Sequence, residues 1–143
     1  MAIEWSQSVE DVDWQELADL VRAAPLGDKT PEFLRTVFTN SLHREFARED
    51  GRLVAAGRAL SDGADCAYLA DIVVHPDMQG QGLGGTVIRR LLERVRDHRK
   101  ILLYAVPGKE PLYRKYGFRR MTTAMAIFED QEAKIEQGYL SAE

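Results

Sequence analysis

The sequence holds one cysteine, Cys66, in 143 residues. A single thiol makes no internal disulfide and no cysteine metal cage. That agrees with a reducing compartment, and the expected location is the cytoplasm. Basic residues are in the minority, with 19 Lys and Arg against 23 Asp and Glu and a net charge of −4. A nucleic-acid binder ordinarily carries a basic surplus, so no nucleic acid is expected among the partners. No apolar run approaches the roughly 20 residues of a membrane span. Residues 1–9 lack the basic-then-apolar order of a secretory signal, so no membrane partner is expected either. Repeats, low-complexity segments and linkers are absent as well. No histidine and carboxylate spacing suggests a metal site. What remains is 45% hydrophobic and 29% charged, ordinary for a globular protein. The length suits one domain over residues 1–143.

The apolar pattern predicts strand, two helices, three strands, helix, strand, helix, strand. Residues 2–7 read as a short strand. Residues 11–24 read as a helix, with Leu17, Leu20, Val21 and Ala24 on one face and Asp11 or Asp13 as cap. Thr30-Pro31 opens a second helix with Phe33, Leu34, Val37 and Phe38 as its stripe, the proline losing nothing at a first helical position. Residues 42–49 and 52–60 flank Asp50-Gly51, a favoured hairpin turn. Residues 68–74 are nearly all apolar, as in a central strand. Residues 82–97 are the strongest helix, with Leu83, Val87, Ile88, Leu91, Leu92 and Val95 on one face. Residues 101–106 and 122–129 read as further strands, with a short helix over 110–116 between them. Hairpin strands mixed with helix-linked strands predict an α/β fold, a mixed sheet with helices on both faces.

The chemistry concentrates in Val73-Val74-His75-Pro76-Asp77-Met78-Gln79-Gly80-Gln81-Gly82-Leu83-Gly84-Gly85-Thr86. A strand ends, proline stops it, and a glycine-rich loop opens a long helix. Backbone N–H groups of such a loop and the positive end of the helix can hold phosphate oxygens. The glycines matter because a Cβ would keep the ligand from the backbone. Gly80 and Gly85 have Walker A spacing, but Thr86 stands where lysine is required. Gly80, Gly82 and Gly85 meet the dinucleotide pattern, yet the following strand ends Tyr104-Ala105-Val106 without the acid a ribose needs. Gln79, Gly82 and Gly84 meet Q/R-x-x-G-x-G/A, directly after the strand and the proline.

This segment resembles the acetyl-CoA motif of the GNAT superfamily of N-acetyltransferases. Leu112-Tyr113-Arg114-Lys115-Tyr116-Gly117-Phe118 is similar to that family's F-Y-x-K-x-G-F segment, with Leu112 replacing an aromatic. The resemblance implies a GNAT-like acyltransferase fold and acetyl-CoA as cosubstrate, with no metal. It implies that the backbone of Ile72, Val73 and Val74 pairs with pantetheine in a gap beside that strand. It places the pyrophosphate on N–H groups of Gln79, Gly80, Gln81, Gly82, Leu83 and Gly84. An N–H near Val74 would polarise the thioester carbonyl, and the amine would attack directly, so Cys66 is not expected as a nucleophile. Tyr113 stands at the family's general-acid position, and Tyr116 is its neighbour on the helix. Asp71-Ile72-Val73-Val74 is also similar to the branch that acetylates glucosamine 6-phosphate. Ala70, however, stands where that branch carries an acid, and Ala105-Val106-Pro107-Gly108 lacks its asparagine.

Asp71 is an acid inside an apolar strand, and an unpaired buried carboxylate is costly. A base or ammonium-binding role and a salt-bridged role both account for it. Tyr68 and Tyr104 offer a water relay as another route for the amine's proton. His75 reads as a loop residue, and His43 and His98 as peripheral. The expected function is acetyl transfer to a primary amine, of a small molecule, lined by residues 23–38; a homodimer is compatible. The alternative is a non-catalytic acyl-CoA-binding or sensing domain on the same fold.

Overall fold

A computed structural model describes residues 2–143. They fall into two compact units, one ending at Leu103 and the other Tyr104–Glu143.

The first unit is built on a five-stranded sheet of β1 (Ile3–Ser6), β2 (His43–Glu49), β3 (Arg52–Ser61), β4 (Cys66–Val74) and β5 (Lys100–Leu102), in spatial order β1-β2-β3-β4-β5. The first four strands pair antiparallel and β4 pairs parallel with β5. A parallel neighbour needs a crossover, and α3 (Leu83–Val95) supplies it. The β2–β3 turn uses Asp50 at φ 51° and Gly51 at φ 80°, the doubly positive turn for which Asp-Gly is suited.

Helices α1 (Trp14–Ala23) and α2 (Pro31–Thr39) start where capping chemistry predicts. Asp13 Oδ1 accepts from the Gln15 and Glu16 N–H groups at 3.0 and 3.2 Å. Thr30 Oγ1 accepts from Phe33 N–H at 3.1 Å. Leu17, Leu20, Val21, Leu34 and Phe38 pack with Phe46, Ala56 and Val73 in one core. Side chains alternate across a strand, so Glu45, Gly57 and Ile72 point to the other side, where α3 lies. A Cβ on Gly57 would meet Val87 Cγ1 at 2.6 Å and Leu91 Cδ1 at 3.1 Å. Only glycine permits this approach of helix to sheet. The mixed sheet with helices on both faces is therefore as expected.

The second unit holds α4 (Glu110–Arg114) and α5 (Gln131–Glu136). Tyr104 meets Phe128 and Tyr139 edge to face, with centroids 5.7 and 5.8 Å apart. Lys134 Nζ lies 4.7 Å from the Tyr139 ring centre, a cation–π contact. Three expectations are corrected. The strand over 101–106 is confined to Lys100–Leu102. The strand read over 68–74 begins earlier, at Cys66. The strand over 122–129 does not form. Met125 and Ile127 are 97% and 93% exposed, and β propensity without a pairing strand does not make a ladder.

Candidate functional site

β4 is irregular where the sequence placed its acid. Ala56 pairs with Val73 and Arg58 with Ala70, so Gly57 alone faces both Asp71 and Ile72. This is a β-bulge. Asp71 takes the extra position with φ 51°, a left-handed conformation that aspartate tolerates better than most residues. The other edge of β4 is also incomplete. Its ladder with β5 runs from Cys66↔Lys100 to Tyr68↔Leu102 and stops. Residues 69–74 have no strand pairing on that edge among the described residues. An edge without a ladder leaves backbone N–H and C=O groups for partners other than a strand.

After Val74 the chain turns through a 3-10 turn, Pro76–Met78. His75 Nδ1 accepts from Asp77 N–H at 3.1 Å, so His75 caps this turn, as a loop residue would. Gln79 Nε2 donates to Val74 O at 3.4 Å and ties the loop back to the strand. Gly80 and Gly82 adopt φ 83° and 77°. Gly82 is the N-cap of α3, which has no side-chain cap and no acid in its first turn. A Cβ on Gly84 would lie 3.3 Å from Val74 Cγ2, so the helix starts tightly against the end of β4. The first-turn N–H groups of a helix need outside acceptors. Here the N-cap residue supplies none, and the first turn carries no acid to repel an anion. Ile72 to Val74 and Gln79 to Gly84 follow one another along the chain as strand end, loop and helix start.

Asp71 is not alone. Arg58 Nε donates to its Oδ2 at 2.7 Å and Lys29 Nζ to its Oδ1 at 3.0 Å. The Asp71 side chain is 11% exposed. Burial pushes its carboxyl pKa up, but the Arg58 hydrogen bond and the Lys29 and Arg58 charges outweigh burial and hold it below the ordinary value. Both oxygens are occupied and the anion is favoured, which suits a salt-bridged anchor better than a proton acceptor. Neither Lys29 nor Arg58 was picked out by sequence reasoning. The signal was the acid in an apolar strand, which required a partner but did not name one.

Tyr113 lies on α4 in the second unit. Its ring meets Phe118 edge to face at 6.1 Å and 84°. Gly117, at φ 97°, turns the chain back, and Phe118 N–H donates to Tyr113 O at 3.3 Å. The tyrosine, glycine and phenylalanine of the motif thus form one folded turn. Burial, and then the neighbouring Tyr116, raise the Tyr113 pKa, which keeps the phenol protonated at neutral pH.

The remaining candidates sit elsewhere. His98 contacts Ser61 Oγ through Nε2 and Asp97 through Nδ1. The His43 pKa is lowered by burial first, then by the charges of Arg94, His98 and Arg44. Both belong to the sheet end where β4 begins, away from Val74. Cys66, at that same end, is a free, half-buried thiol. Among the described residues no group of three or more His, Cys, Asp or Glu is placed to hold a metal ion, and no helix is long and apolar enough to cross a membrane. Sequence reasoning also missed Glu45, which is wholly buried and accepts from Arg90 Nε, Arg94 Nε and Gln7 Nε2 at 2.8, 2.8 and 2.9 Å. It joins β2 to α3.

The chain is similar to known proteins over about half its length. It is 44% identical over 69 residues to the uncharacterized N-acetyltransferase ycf52 of Porphyra purpurea, covering 47% of this chain and 40% of that one. It is 44% identical over 70 residues to serotonin N-acetyltransferase 2, chloroplastic, of Oryza sativa subsp. japonica, covering 48% of this chain and 35% of that one. The chain thus spans well under two thirds of these relatives. In fold, it superposes on a probable acetyltransferase from meticillin-resistant Staphylococcus aureus with a TM-score of 0.81 at 20% identity, covering 90% and 99% of the two chains. The family model for the Acetyltransferase (GNAT) family matches residues 8–118, from before α1 to the phenylalanine that packs on Tyr113, and the chain belongs to that family.

Proposed function

We propose that the protein moves an acetyl group from acetyl-CoA directly to the primary amine of a small molecule. The observation that carries this reading is the conjunction in β4 of a bulge at Asp71, an edge without strand pairing over residues 69–74, and an uncapped α3 start directly after. The groups present fit the cosubstrate. Strand-edge N–H and C=O groups of Ile72, Val73 and Val74 suit the amides of a pantetheine arm. N–H groups from Gln79 to Gly84, with the helix dipole behind them, suit a pyrophosphate. Acetyl-CoA supplies the activated acyl group. The chain orients it, offers a backbone donor near Val74 to its carbonyl, and through Tyr113, by the family resemblance, returns a proton to the departing sulfur.

In this reading Asp71 does not take the amine's proton. It holds the bulge in place between Arg58 and Lys29, and water accepts the proton. We place the protein in a reducing compartment, on the free thiol of Cys66.

The test is incubation with labelled acetyl-CoA and a panel of amines, followed by detection of an acid-stable amide and of released thiol. Amide formation with at least one amine is the expected result. Stabilisation by acetyl-CoA with no product across a broad panel supports instead an acyl-CoA-binding domain without catalysis.

A further inference from the structure

The cluster around Asp71 does not balance. Two cations, Lys29 and Arg58, share one carboxylate. Lys29 Nζ has three donors and one of them meets Asp71 Oδ1. Arg58 donates from Nε to Asp71 and from Nη1 to Ser41 Oγ at 3.2 Å, and Ser41 Oγ donates onward to Val37 O. Arg58 Nη2 has no hydrogen-bond partner among the described residues. The side chains are 14% exposed for Arg58 and 29% for Lys29, where a surplus charge is poorly solvated. Arg58 Nη2 is not sealed from solvent, and the Lys29 side chain keeps its exposed part beside it.

Neighbouring charges do not cancel the surplus. Asp28, beside Lys29 in sequence, is turned to Arg22 at 2.9 Å and is exposed. Arg44, near Ser41, donates to Ser41 O at 2.8 Å and to Phe38 O at 3.4 Å. It is met by the carbonyl end of α2, which favours a cation. One positive charge remains, carried between the α1–α2 loop and the β4 bulge. Lys29 belongs to the segment expected to line the acceptor, and Asp71 directly precedes the residues that present their backbone to the cosubstrate.

Resting on the amine-acceptor reading above, we propose that Lys29 and Arg58 form a subsite for an anionic group, a carboxylate or phosphate, borne by the acceptor a few bonds from its amine. The subsite selects amino acids or aminoalkyl phosphates and rejects polycationic amines, which bring charge of the wrong sign.

The experiment compares matched acceptors with acetyl-CoA saturating: β-alanine against β-alaninamide, and O-phosphoethanolamine against ethanolamine. The anionic member of at least one pair should have the higher kcat/KM by about tenfold, the size expected for a hydrogen bond to a charged group. The pair that shows it identifies the anion. Lys29→Met, at a partly exposed loop position, should bring that ratio towards one by raising the KM of the anionic member, and Lys29→Arg should preserve it. Equal use of both members, or an unchanged ratio in Lys29→Met, overturns the subsite while leaving acetyl transfer intact. Calorimetric titration of CoA-bound protein with β-alanine and with O-phosphoethanolamine reads the subsite without turnover. Lys29-dependent binding without acetylation of any amine sustains the subsite and overturns the transferase reading. Absence of both binding and turnover overturns both.

Discussion

Arg58 on β3 and Asp71 on β4 meet at 2.7 Å across the one place where β4 carries an extra residue. The ion pair and the bulge explain each other. The left-handed turn at Asp71 breaks the register, and the guanidinium holds the carboxylate of the residue that breaks it. Lys29 ties the α1–α2 loop to the same point.

Asp71→Asn should keep the left-handed backbone, which asparagine also tolerates, and lose the charge that both cations face. The expected destabilisation at neutral pH is about 1–3 kcal/mol, read as a lower midpoint in chemical denaturation. Its pH dependence has a fixed sign. The Asp71 pKa is lowered in the fold, so its stabilisation is complete above the ordinary value of 3.8 and is lost as pH falls through the folded pKa beneath it. The gap between wild type and variant should stay constant down to that range and close below it. A gap that closes near neutrality contradicts this assignment.

Gly82 and Gly84 test the loop by different physics. Gly82→Val puts a β-branched residue at φ 77°, where the cost is roughly 1–2 kcal/mol. Gly84→Val drives a side chain against Val74. In wild type, acetyl-CoA at a hundred times its Kd should stabilise the fold by roughly 2.7 kcal/mol. Both variants should remain folded and lose most of that gain in thermal shift. An undiminished gain in both removes the loop from the site.

Tyr113→Phe deletes a hydroxyl and leaves the ring that packs on Phe118. Loss of a general acid costs a factor of about 10² to 10⁴ in rate, so kcat should fall on that scale with acetyl-CoA affinity retained. Burial raises the Tyr113 pKa above 10.0. The protonated, competent form therefore persists through neutral pH, and the alkaline limb of the rate profile should lie above pH 10.0 and disappear in the variant. Tyr116→Phe, the control, should stay near wild type. Full activity in Tyr113→Phe with loss in Tyr116→Phe moves the role to Tyr116, and full activity in both removes it from either.

Glu45→Ala leaves Arg90 and Arg94 without the anion that both meet at 2.8 Å. Removing one partner of a buried pair costs about 3–5 kcal/mol. Arg90 and Arg94 are about a third exposed and can turn to water, so the lower end is expected by denaturant titration. A loss under 1 kcal/mol would show that the cluster does not anchor α3 to β2.

The sequence by itself determined what depends on neighbours along the chain. Thr30 capped its helix, the cap of α1 was narrowed to Asp11 or Asp13, Asp50-Gly51 turned its hairpin, and the glycines before Leu83 opened α3. Each rests on φ preferences and on hydrogen bonds within a few residues, which a linear reading contains. The tyrosine, glycine and phenylalanine of the α4 turn were legible for the same reason.

The tertiary structure alone decided which distant charges meet. Arg90 and Arg94 lie off the apolar stripe of α3, yet both reach Glu45, 45 and 49 residues away. Asp71 read equally as a base or as a salt-bridged group, and the ion pairs it makes are with Lys29 and Arg58, 42 and 13 residues away. Residues 122–129 had the composition of a strand and lacked the partner that makes one. Ion pairing and strand pairing are set by which segments the fold brings side by side, and no local periodicity encodes that.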